Sequence, residues 1–272
     1  MLHYDLVIIG GGVTGLSAAV EASNLKMKTL LVEQGFTLGG HTRFFNEGYV
    51  QSFVRKINNN YVDLLLNHSV VGVYDDLVLS ISDGNDFVKV QTKSILVSTG
   101  SYQKRISFPN NDLPNIYGYL TLLEMIKLHQ VKPGNNVIIV GDEIHEMLIE
   151  TLENSDINIV KIIDKTDLIE AYGDEVYQGI TTKKGNFQSD FLIVSDGNLP
   201  HNEILRMLNC EMVFDQEEQS WFPKSVDYMT SIKGVFVAGN VKSFKNAEEN
   251  VFDGSSAVKA IFNYLGEMHG KK

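Results

Sequence analysis

The chain has one cysteine in 272 residues. A single thiol, Cys210, excludes a disulfide within the chain, and so few cysteines are typical of the reducing cytoplasm, where we expect the protein to be. No Cys-x-x-Cys pair is present, so the chain cannot pass electrons through a dithiol of its own. An iron–sulfur centre would have to lie in a partner. The histidines are dispersed without ligand spacing, and we expect no metal site.

Positive charge and long apolar runs are also scarce. The formal net charge is −11 at pH 7, which argues against nucleic acid or an anionic membrane surface as a partner. No apolar run reaches 18 residues, so we expect no membrane span. The early run Val-Ile-Ile-Gly-Gly-Gly follows no positive leader, and we expect no export signal. The composition, 43% hydrophobic and 21% charged, suits one large or two smaller globular cores.

The glycines near the N-terminus lie between an apolar run and an alanine-rich stretch. Residues 7–9 form a run short enough for a buried parallel strand, and Gly10, Gly12 and Gly15 then match G-x-G-x-x-G. In such a loop one glycine permits a tight turn, one lets the backbone approach a pyrophosphate, and one lets helix pack on strand. Glu33, 23 residues after Gly10, is placed to accept from ribose hydroxyls. The pattern predicts a dinucleotide site.

A weaker copy of this pattern begins about halfway along the chain. Residues 135–152 again read as strand, turn and helix, and Asp164 ends the next strand 23 residues after Gly141. Three carboxylates occupy the positions that pyrophosphate would approach: Asp142, Glu143 and Glu146. Each would cost roughly 1–4 kcal/mol at about 4 Å from a phosphate. We expect this second site to have lost productive NAD(P)H binding, with a residual adenine-nucleotide role or a structural role as the alternatives.

Periodicity and turn residues predict the remaining elements. We expect helices at 49–66, 119–130, 202–209 and 248–265, short strands over 69–97 with a turn at Asp83-Gly84, a hairpin over 174–195, and a buried strand at 234–239.

Four segments carry a resemblance to a known superfamily. They are the N-terminal strand, loop and helix with Leu-Gly-Gly-His-Thr at 38–42, the strand ending in Ser-Thr-Gly at 94–100, the crossing at 108–118, and the closing strand, Gly-Asn turn and helix at 230–266. In these the chain resembles the flavoproteins with two dinucleotide-binding domains, which include thioredoxin reductase and the pyridine nucleotide-disulfide oxidoreductases. The resemblance implies an α/β fold of two Rossmann-like three-layer domains. An FAD-binding domain (1–112 and 226–272) would hold an inserted, reduced NAD(P)-binding-like domain (113–225).

The same resemblance implies FAD at the first site, whereas NAD(P) at the second is doubtful. Asn240 stands where the family usually has Asp, which removes one negative charge near the cofactor. His41, next to the predicted flavin pocket, is the one candidate for proton transfer, with simple packing as its alternative. By resemblance the FAD-binding residues are Gly10, Gly12, Val13, Thr14, Gly15, Glu33, Gln34, Gly40, His41, Thr42, Val70, Thr99, Gly100, Gly239, Asn240, Asn246 and Ala247.

A narrower resemblance concerns the segment that begins at the end of the strand predicted at 94–100. Thr99, Gly100, Ser101 and Arg105 match a Thr-Gly-Ala-x-x-Arg-Pro motif, with Ile106 in place of Pro. The motif is similar to that of FAD subunits of multisubunit amine and amino-acid dehydrogenases, such as dye-linked proline dehydrogenase, octopine and nopaline oxidase, hydrogen cyanide synthase and sarcosine oxidase. It implies an FAD-dependent dehydrogenase subunit that acts on a small-molecule substrate beside a second flavoprotein or an iron–sulfur subunit. Two alternatives stay open: a self-contained NAD(P)H-dependent flavin reductase, and a non-catalytic regulatory or assembly flavoprotein.

Overall fold

The structure is a computed structural model and describes residues 1–270. Contacts divide the chain into two compact units, Met1–Ser101 together with the residues from Pro200 onward, and Tyr102–Leu199. The sequence placed the two boundaries later, after residues 112 and 225. They lie earlier because Ile106 and Phe108 pack on the core of the second unit, whereas Leu205 and Cys210 are buried in the core of the first.

The secondary structure alternates strands and helices throughout the described residues. The helices are α1 (Val13–Asn24), α2 (Glu47–Val54), α3 (Tyr119–Lys127), α4 (Glu146–Asn154), α5 (Glu203–Met207) and α6 (Ala247–Gly270). The strands are β1 (Leu2–Tyr4), β2 (Leu6–Ile9), β3 (Thr29–Val32), β4 (Val62–Leu65), β5 (Ser69–Tyr74), β6 (Val78–Ser82), β7 (Phe87–Thr92), β8 (Ile95–Val97), β9 (Ser101–Gln103), β10 (Ile116–Gly118), β11 (Asn136–Glu143), β12 (Asn158–Ile163), β13 (Leu168–Tyr172), β14 (Gly179–Thr182), β15 (Gly185–Gln188), β16 (Phe191–Asp196), β17 (Asn198–Pro200), β18 (Met212–Asp215), β19 (Ser220–Pro223), β20 (Ser225–Val226), β21 (Met229–Thr230) and β22 (Val235–Val237).

The first unit is built on a sheet with the strand order β20-β21-β22-β8-β2-β3-β4. The strands from β22 to β4 run parallel, with Ile8 of β2 opposite Leu31 of β3 and Leu96 of β8. Strand β2 reads as a continuous apolar run because it is covered on both faces. Its alternate side chains therefore enter two different cores.

One core lies between this sheet and the helices, and the other between the sheet and a smaller antiparallel layer. Leu6 and Ile8 point to the first core, which α1 and α6 complete. Val7 and Ile9 point to the second, which includes residues of the β1-β7-β6-β5 sheet and of α5. This arrangement is the three-layer α/β fold that the sequence predicted, and it brings the carboxyl ends of β2, β3, β8 and β22 to one edge.

The second unit repeats the parallel theme on a smaller scale. Its sheet has the order β10-β16-β11-β12, all parallel, and a separate antiparallel sheet has the order β13-β14-β15. Ile138 and Val140 pack toward the antiparallel sheet. Helices α3 and α4 bury Leu122, Leu148 and Leu152. The unit is Rossmann-like and has fewer elements than the first, as expected for a reduced domain.

Some predicted elements differ from the structure. The helix predicted over 49–66 was wrong in its second half, because α2 ends at Val54 and β4 then forms the edge of the main sheet. A turn separates them, in which the Asn58 side chain accepts from the Asn60 N–H. The predicted 174–195 hairpin exists as β14–β15, but Phe191–Asp196 is a central parallel strand. The strands over 69–97 and the other helices agree within a few residues, α6 reaching beyond the predicted end.

Candidate functional site

Two glycines of the N-terminal loop are required by the packing of β2, α1 and β8. A Cβ at Gly10, whose φ is +105°, would lie 2.5 Å from the carbonyl oxygen of Ser98. A Cβ at Gly15 would lie 1.9 Å from the carbonyl oxygen of Gly10. Neither contact is physically possible, so only glycine lets the helix pass this close to the strand.

The glycine between them has a different environment. Gly12 is the N-cap of α1 and has an extended backbone (φ −67°, ψ −178°). As a glycine it has no side chain that could make a capping hydrogen bond. A Cβ there would meet nothing within 4 Å. The N–H groups of the first turn, from Val13 and Thr14, have no partner within a helix. The space beside Gly12, with the positive end of the helix dipole behind it, is the environment that a pyrophosphate needs.

Glu33 is held at the end of β3 by two backbone donors. Its Oε2 accepts from the Gly11 N–H at 2.7 Å, and its Oε1 accepts from the Gly35 N–H at 2.7 Å. Each carboxylate oxygen keeps a further lone pair, so ribose hydroxyls can still donate to it. The carboxylate is therefore fixed between the glycine loop and the turn that follows β3.

A cleft of about 200 Å³ opens beside this carboxylate, within the first unit. Five of the residues that the sequence assigned to cofactor binding line it: Gly10, Glu33, Gln34, Val70 and Thr99. The residues that sequence reasoning missed are Ile9, Val32, His68, Ser69, His201, Glu203, Ile204 and Met207. Four of these belong to α5 or the residues just before it, which the sequence assigned to the inserted domain. No local sequence signal indicates that this segment returns to the first site.

The Thr-Gly dipeptide after β8 joins that returning segment. Thr99 Oγ1 donates to the His201 carbonyl oxygen at 2.5 Å, and the His201 N–H donates to the Gly100 carbonyl oxygen at 3.0 Å. Gly100 has a φ of +72°, and a Cβ there would meet nothing within 4 Å. The dipeptide thus fixes one wall of the cleft through its backbone and its hydroxyl.

The segment 39–42 lies against the glycine loop from the other side. The Gly39 N–H donates to the Gly11 carbonyl oxygen at 2.8 Å, and a Cβ at Gly40 would lie 3.2 Å from the Gly12 Cα. The His41 side chain is exposed, and its ring stacks on Phe44 with the centroids 6.2 Å apart. Thr42 is half-buried. The role of His41 in proton transfer stays a prediction.

The closing turn meets the first turn of α1. Gly239 has a φ of +80°, and a Cβ there would lie 2.4 Å from Thr14 Oγ1. Asn246 and Glu249 form a reciprocal capping box at the start of α6. The Glu249 N–H donates to Asn246 Oδ1 at 2.9 Å, and the Asn246 N–H donates to Glu249 Oε2 at 3.1 Å. Ala247 is the first residue of the helix.

A buried carboxylate beside this turn was not predicted. Asp253 is 3% exposed, and its Oδ2 accepts from the Gly239 N–H at 2.9 Å. Its Oδ1 lies 2.9 Å from Lys245 Nζ. Burial alone would raise the pKa of Asp253, yet the Gly239 N–H and the ammonium groups of Lys245 and Lys242 hold it below the ordinary value of 3.8.

These residues fit the dinucleotide that the sequence predicted. The open N-terminus of α1 suits a pyrophosphate, Glu33 suits a ribose, and the lined cleft suits an adenine. Gly239, in the turn before Asn240, and Gly254 of α6 both lie next to Thr14 in the first turn of α1. A cofactor with chemistry at both ends, as FAD has, would span these groups.

The second unit keeps the strand-packing glycine and loses the rest of the loop. A Cβ at Gly141 would lie 1.7 Å from the Ser195 carbonyl oxygen, which matches the contact at Gly10. Helix α1 begins three residues after Gly10, at Val13, whereas α4 begins five residues after Gly141, at Glu146. Strand β11 continues through Glu143 into the space of the missing helical turn. The N–H donors that a pyrophosphate would use are therefore set back.

An ion-pair network occupies the same edge of the second sheet. Lys165 Nζ lies 2.8 Å from Asp142 Oδ2 and 2.8 Å from Asp196 Oδ1. The hydrogen bonds that Lys165 donates to Asp142 and then to Asp196 raise the pKa of Lys165 beyond its usual range. Because Asp142 is paired, its charge opposes a phosphate less than the sequence alone suggested. Asp164, in the position of a ribose acid, instead accepts from the Thr166 N–H and hydroxyl at 2.7 and 2.6 Å.

Two kinds of feature are absent from residues 1–270. None of these residues form a group of three or more His, Cys, Asp or Glu side chains arranged to hold a metal ion. No helix among them has the length and apolar content required to cross a membrane.

The chain is similar to subunits of two known enzymes and to a solved structure. The hydrogen cyanide synthase subunit HcnB of Pseudomonas protegens is 27% identical over 153 residues, which cover 50% of this chain and 32% of HcnB. The sarcosine oxidase subunit alpha of a Corynebacterium species is 22% identical over 226 residues, 73% of this chain and 23% of that subunit. Among solved structures, L-proline dehydrogenase from P. horikoshii superposes with a TM-score of 0.89 at 25% identity, covering 97% of this chain and 56% of the other. The chain thus spans about a quarter to a half of the length of these relatives.

One family model covers half of the chain. It is the model of the pyridine nucleotide-disulphide oxidoreductases, and it matches residues 4–142, from β1 through the glycine turn of the second unit. The match includes the Gly10–Gly15 loop and Glu33. The predicted superfamily and the predicted enzyme class, an oxidoreductase, are confirmed. This chain belongs to the pyridine nucleotide-disulphide oxidoreductase family.

Proposed function

We propose that the protein is an FAD-binding subunit of a multisubunit amino-acid or amine dehydrogenase. The single observation that carries this proposal is the contrast between the two nucleotide sites. The first site has an open helix N-terminus in front of Gly12, whereas the second has Glu143 in that position and a helix that begins later.

The relatives support the same division of tasks. HcnB and sarcosine oxidase subunit alpha are each named as one subunit of an enzyme, and the L-proline dehydrogenase acts on an amino acid. The absence of a Cys-x-x-Cys pair means that this chain has no dithiol of its own through which to pass electrons. An amine or amino acid is therefore the substrate class that we favour.

FAD, when bound, supplies the capacity to accept a hydride or electrons. The residues of this chain bind and orient it. Gly12 and the first turn of α1 would hold its pyrophosphate, Glu33 its adenosine ribose, and the Asn240 turn with the start of α6 its ribityl and ring end. His41 is the candidate to hold or move a proton next to the ring. The electron acceptor would belong to a second flavoprotein or an iron–sulfur subunit.

The test begins with the cofactor and its donor. We expect protein purified from its native source to contain about one non-covalent FAD per chain, released by heat and identified by chromatography, as the one intact site requires. Anaerobic titration with NADH or NADPH should leave the flavin oxidised at stoichiometric nucleotide. The complex isolated with the chain should then oxidise an amino acid or amine with an artificial dye as acceptor.

The opposite results have distinct meanings. Bleaching of the flavin by stoichiometric NADH in the isolated chain would replace this proposal with a self-contained NAD(P)H-dependent flavin reductase. A flavin-containing complex that oxidises neither NADH nor any amine would point to a regulatory or assembly role. Protein that contains FMN or no flavin would refute the cofactor assignment.

A further inference from the structure

The buried carboxylate Asp253 connects helix α6 to the turn that faces the cofactor. Its Oδ2 accepts a hydrogen bond from the Gly239 N–H at 2.9 Å, and its Oδ1 lies 2.9 Å from Lys245 Nζ. Lys242 Nζ is 3.9 Å away on the same side. A charged group that is 3% exposed is costly unless it is paired and hydrogen-bonded, and here both conditions are met.

Lys245 joins this carboxylate to Asn240. The Lys245 N–H donates to Asn240 Oδ1 at 3.0 Å, and the Lys245 carbonyl oxygen accepts from Asn250 Nδ2 at 3.1 Å. The side chain and the backbone of one residue therefore hold both ends of the loop. Loss of the ion pair would release the segment that orients Asn240.

The orientation of the Asn240 amide follows from its donors. Its Oδ1 accepts from the Lys245 N–H and from Asn250 Nδ2, both at 3.0 Å. A backbone N–H can only donate, so the oxygen of the amide must face it. The amide oxygen is thus used within the protein. The Nδ2 group, a donor, is what Asn240 can offer to a ligand, where an aspartate could only accept.

We propose that Asp253 is a positioning residue for the flavin, which acts by holding Lys245 and the Gly239–Asn240 turn so that the site offers N–H donors to the ring end of FAD. The proposal rests on the FAD site proposed above. It has an electrostatic consequence, because the carboxylate balances the ammonium of Lys245. Without Asp253 the uncompensated cation favours the more negative, reduced flavin, and without Lys245 the uncompensated anion disfavours it.

Matched variants separate this role from general packing. Asp253→Asn keeps the size of the side chain and an acceptor for Gly239 while removing the charge. Glu21→Gln is the control, because Glu21 lies on α1 with an oxygen 3.9 Å from Lys259 Nζ on α6, so it makes the same charge change at an ion pair that does not involve the Gly239–Asn240 turn. Lys245→Met removes the cation, and the Lys245 side chain is 25% exposed, so the fold should tolerate it.

The measurements are the dissociation constant of FAD, from fluorescence titration of apoprotein, and the midpoint potential of the bound flavin. We expect Asp253→Asn to weaken FAD binding about tenfold, as the loss of a charge-assisted contact requires. Glu21→Gln should stay within about twofold of wild type. The potential should rise in Asp253→Asn, fall in Lys245→Met, and return toward wild type in the double variant.

Two results would overturn the inference. One is an unchanged affinity and potential in Asp253→Asn, and the other is a shift of both single variants in the same direction, which would indicate a packing effect alone. Wild-type protein that binds FAD without these variant effects overturns only the role of Asp253. Wild-type protein that binds no flavin overturns the proposed function as well.

Discussion

Replacement of Gly12 by leucine should abolish FAD binding while leaving the fold intact. The backbone of Gly12 has φ −67°, which any residue adopts, and a Cβ there would meet nothing within 4 Å. The leucine side chain would instead fill the space that the pyrophosphate needs. Gly12 is the N-cap of α1 and glycine is preferred to leucine there, so the free energy of unfolding should fall by about 1 kcal/mol.

Gly15→Ala is the matched comparison from the same loop. Its new Cβ would lie 1.9 Å from the Gly10 carbonyl oxygen, so α1 or β2 must move. Overpacking of this kind costs about 1–3 kcal/mol or more. The apoprotein of this variant should therefore melt several degrees lower than wild type, since each kcal/mol corresponds to about 2–4 °C in a chain of this size.

Thermal unfolding with and without FAD distinguishes the two effects. A ligand at 100 times its dissociation constant stabilises the native state by about 2.7 kcal/mol, which corresponds to a rise of about 5–10 °C. Wild type should show this rise. Gly12→Leu should melt within about 2–4 °C of the wild-type apoprotein and show no rise with FAD. A Gly12→Leu protein that still gains stability from FAD would refute our assignment of the open space to the pyrophosphate.

Three other outcomes follow from named contacts. Glu33→Gln should weaken FAD binding about tenfold or more, because one of the two backbone donors of Glu33 would face an NH₂ group. Isothermal titration of FAD into this variant and into the exposed control Glu47→Gln measures the difference. Equal affinities of the two variants would contradict the prediction. The pKa of Asp253 is lowered in the folded state, so its stabilisation is complete above the ordinary value of 3.8 and is lost as pH falls through the lowered pKa. Asp253→Asn should therefore lose less stability than wild type below pH 3.8 in urea unfolding, and parallel losses would contradict this. Replacement of Asp142, Glu143 and Glu146 by Gly, Ala and Ser should leave NADH affinity low, because α4 still begins late; recovered affinity in an NADH titration would show that charge alone closed the site.

The parallel core of the first unit could be predicted from the sequence because it depends on local patterns. Apolar runs such as residues 6–9 identify strands that are covered on both faces, and the glycine spacing identifies the turn that follows. Strand β4 was missed because its residues, Val62–Leu65, have an edge-strand pattern of mixed polarity next to a helix. Its partner in β3 lies more than 30 residues away in the chain, beyond the reach of periodicity.

Tertiary pairing also explains what could not be predicted of the site. Five cleft residues were found from the motifs, whereas His201 and α5 reach the cleft only because the chain returns to the first unit at Pro200. Asp253 has no signal in the sequence, since its role depends on its contact with Gly239, which lies fourteen positions earlier in the chain. Residues whose roles depend on tertiary contacts of this kind can be identified only from the folded structure.

The two units together indicate what each glycine of such a loop reports. Gly10 and Gly141 occupy equivalent positions in the two units. A Cβ at either one would collide with a carbonyl oxygen of the adjacent strand, that of Ser98 or of Ser195. A Cβ at Gly12 would meet nothing within 4 Å, and the residue at the equivalent position of the second unit is Glu143. Neither a positive φ nor a packing contact requires glycine at Gly12, and space for a ligand is the role that we propose for it. The first unit has such a glycine and the second has Glu143 instead, and this difference supports our proposal that the cofactor binds in the first unit.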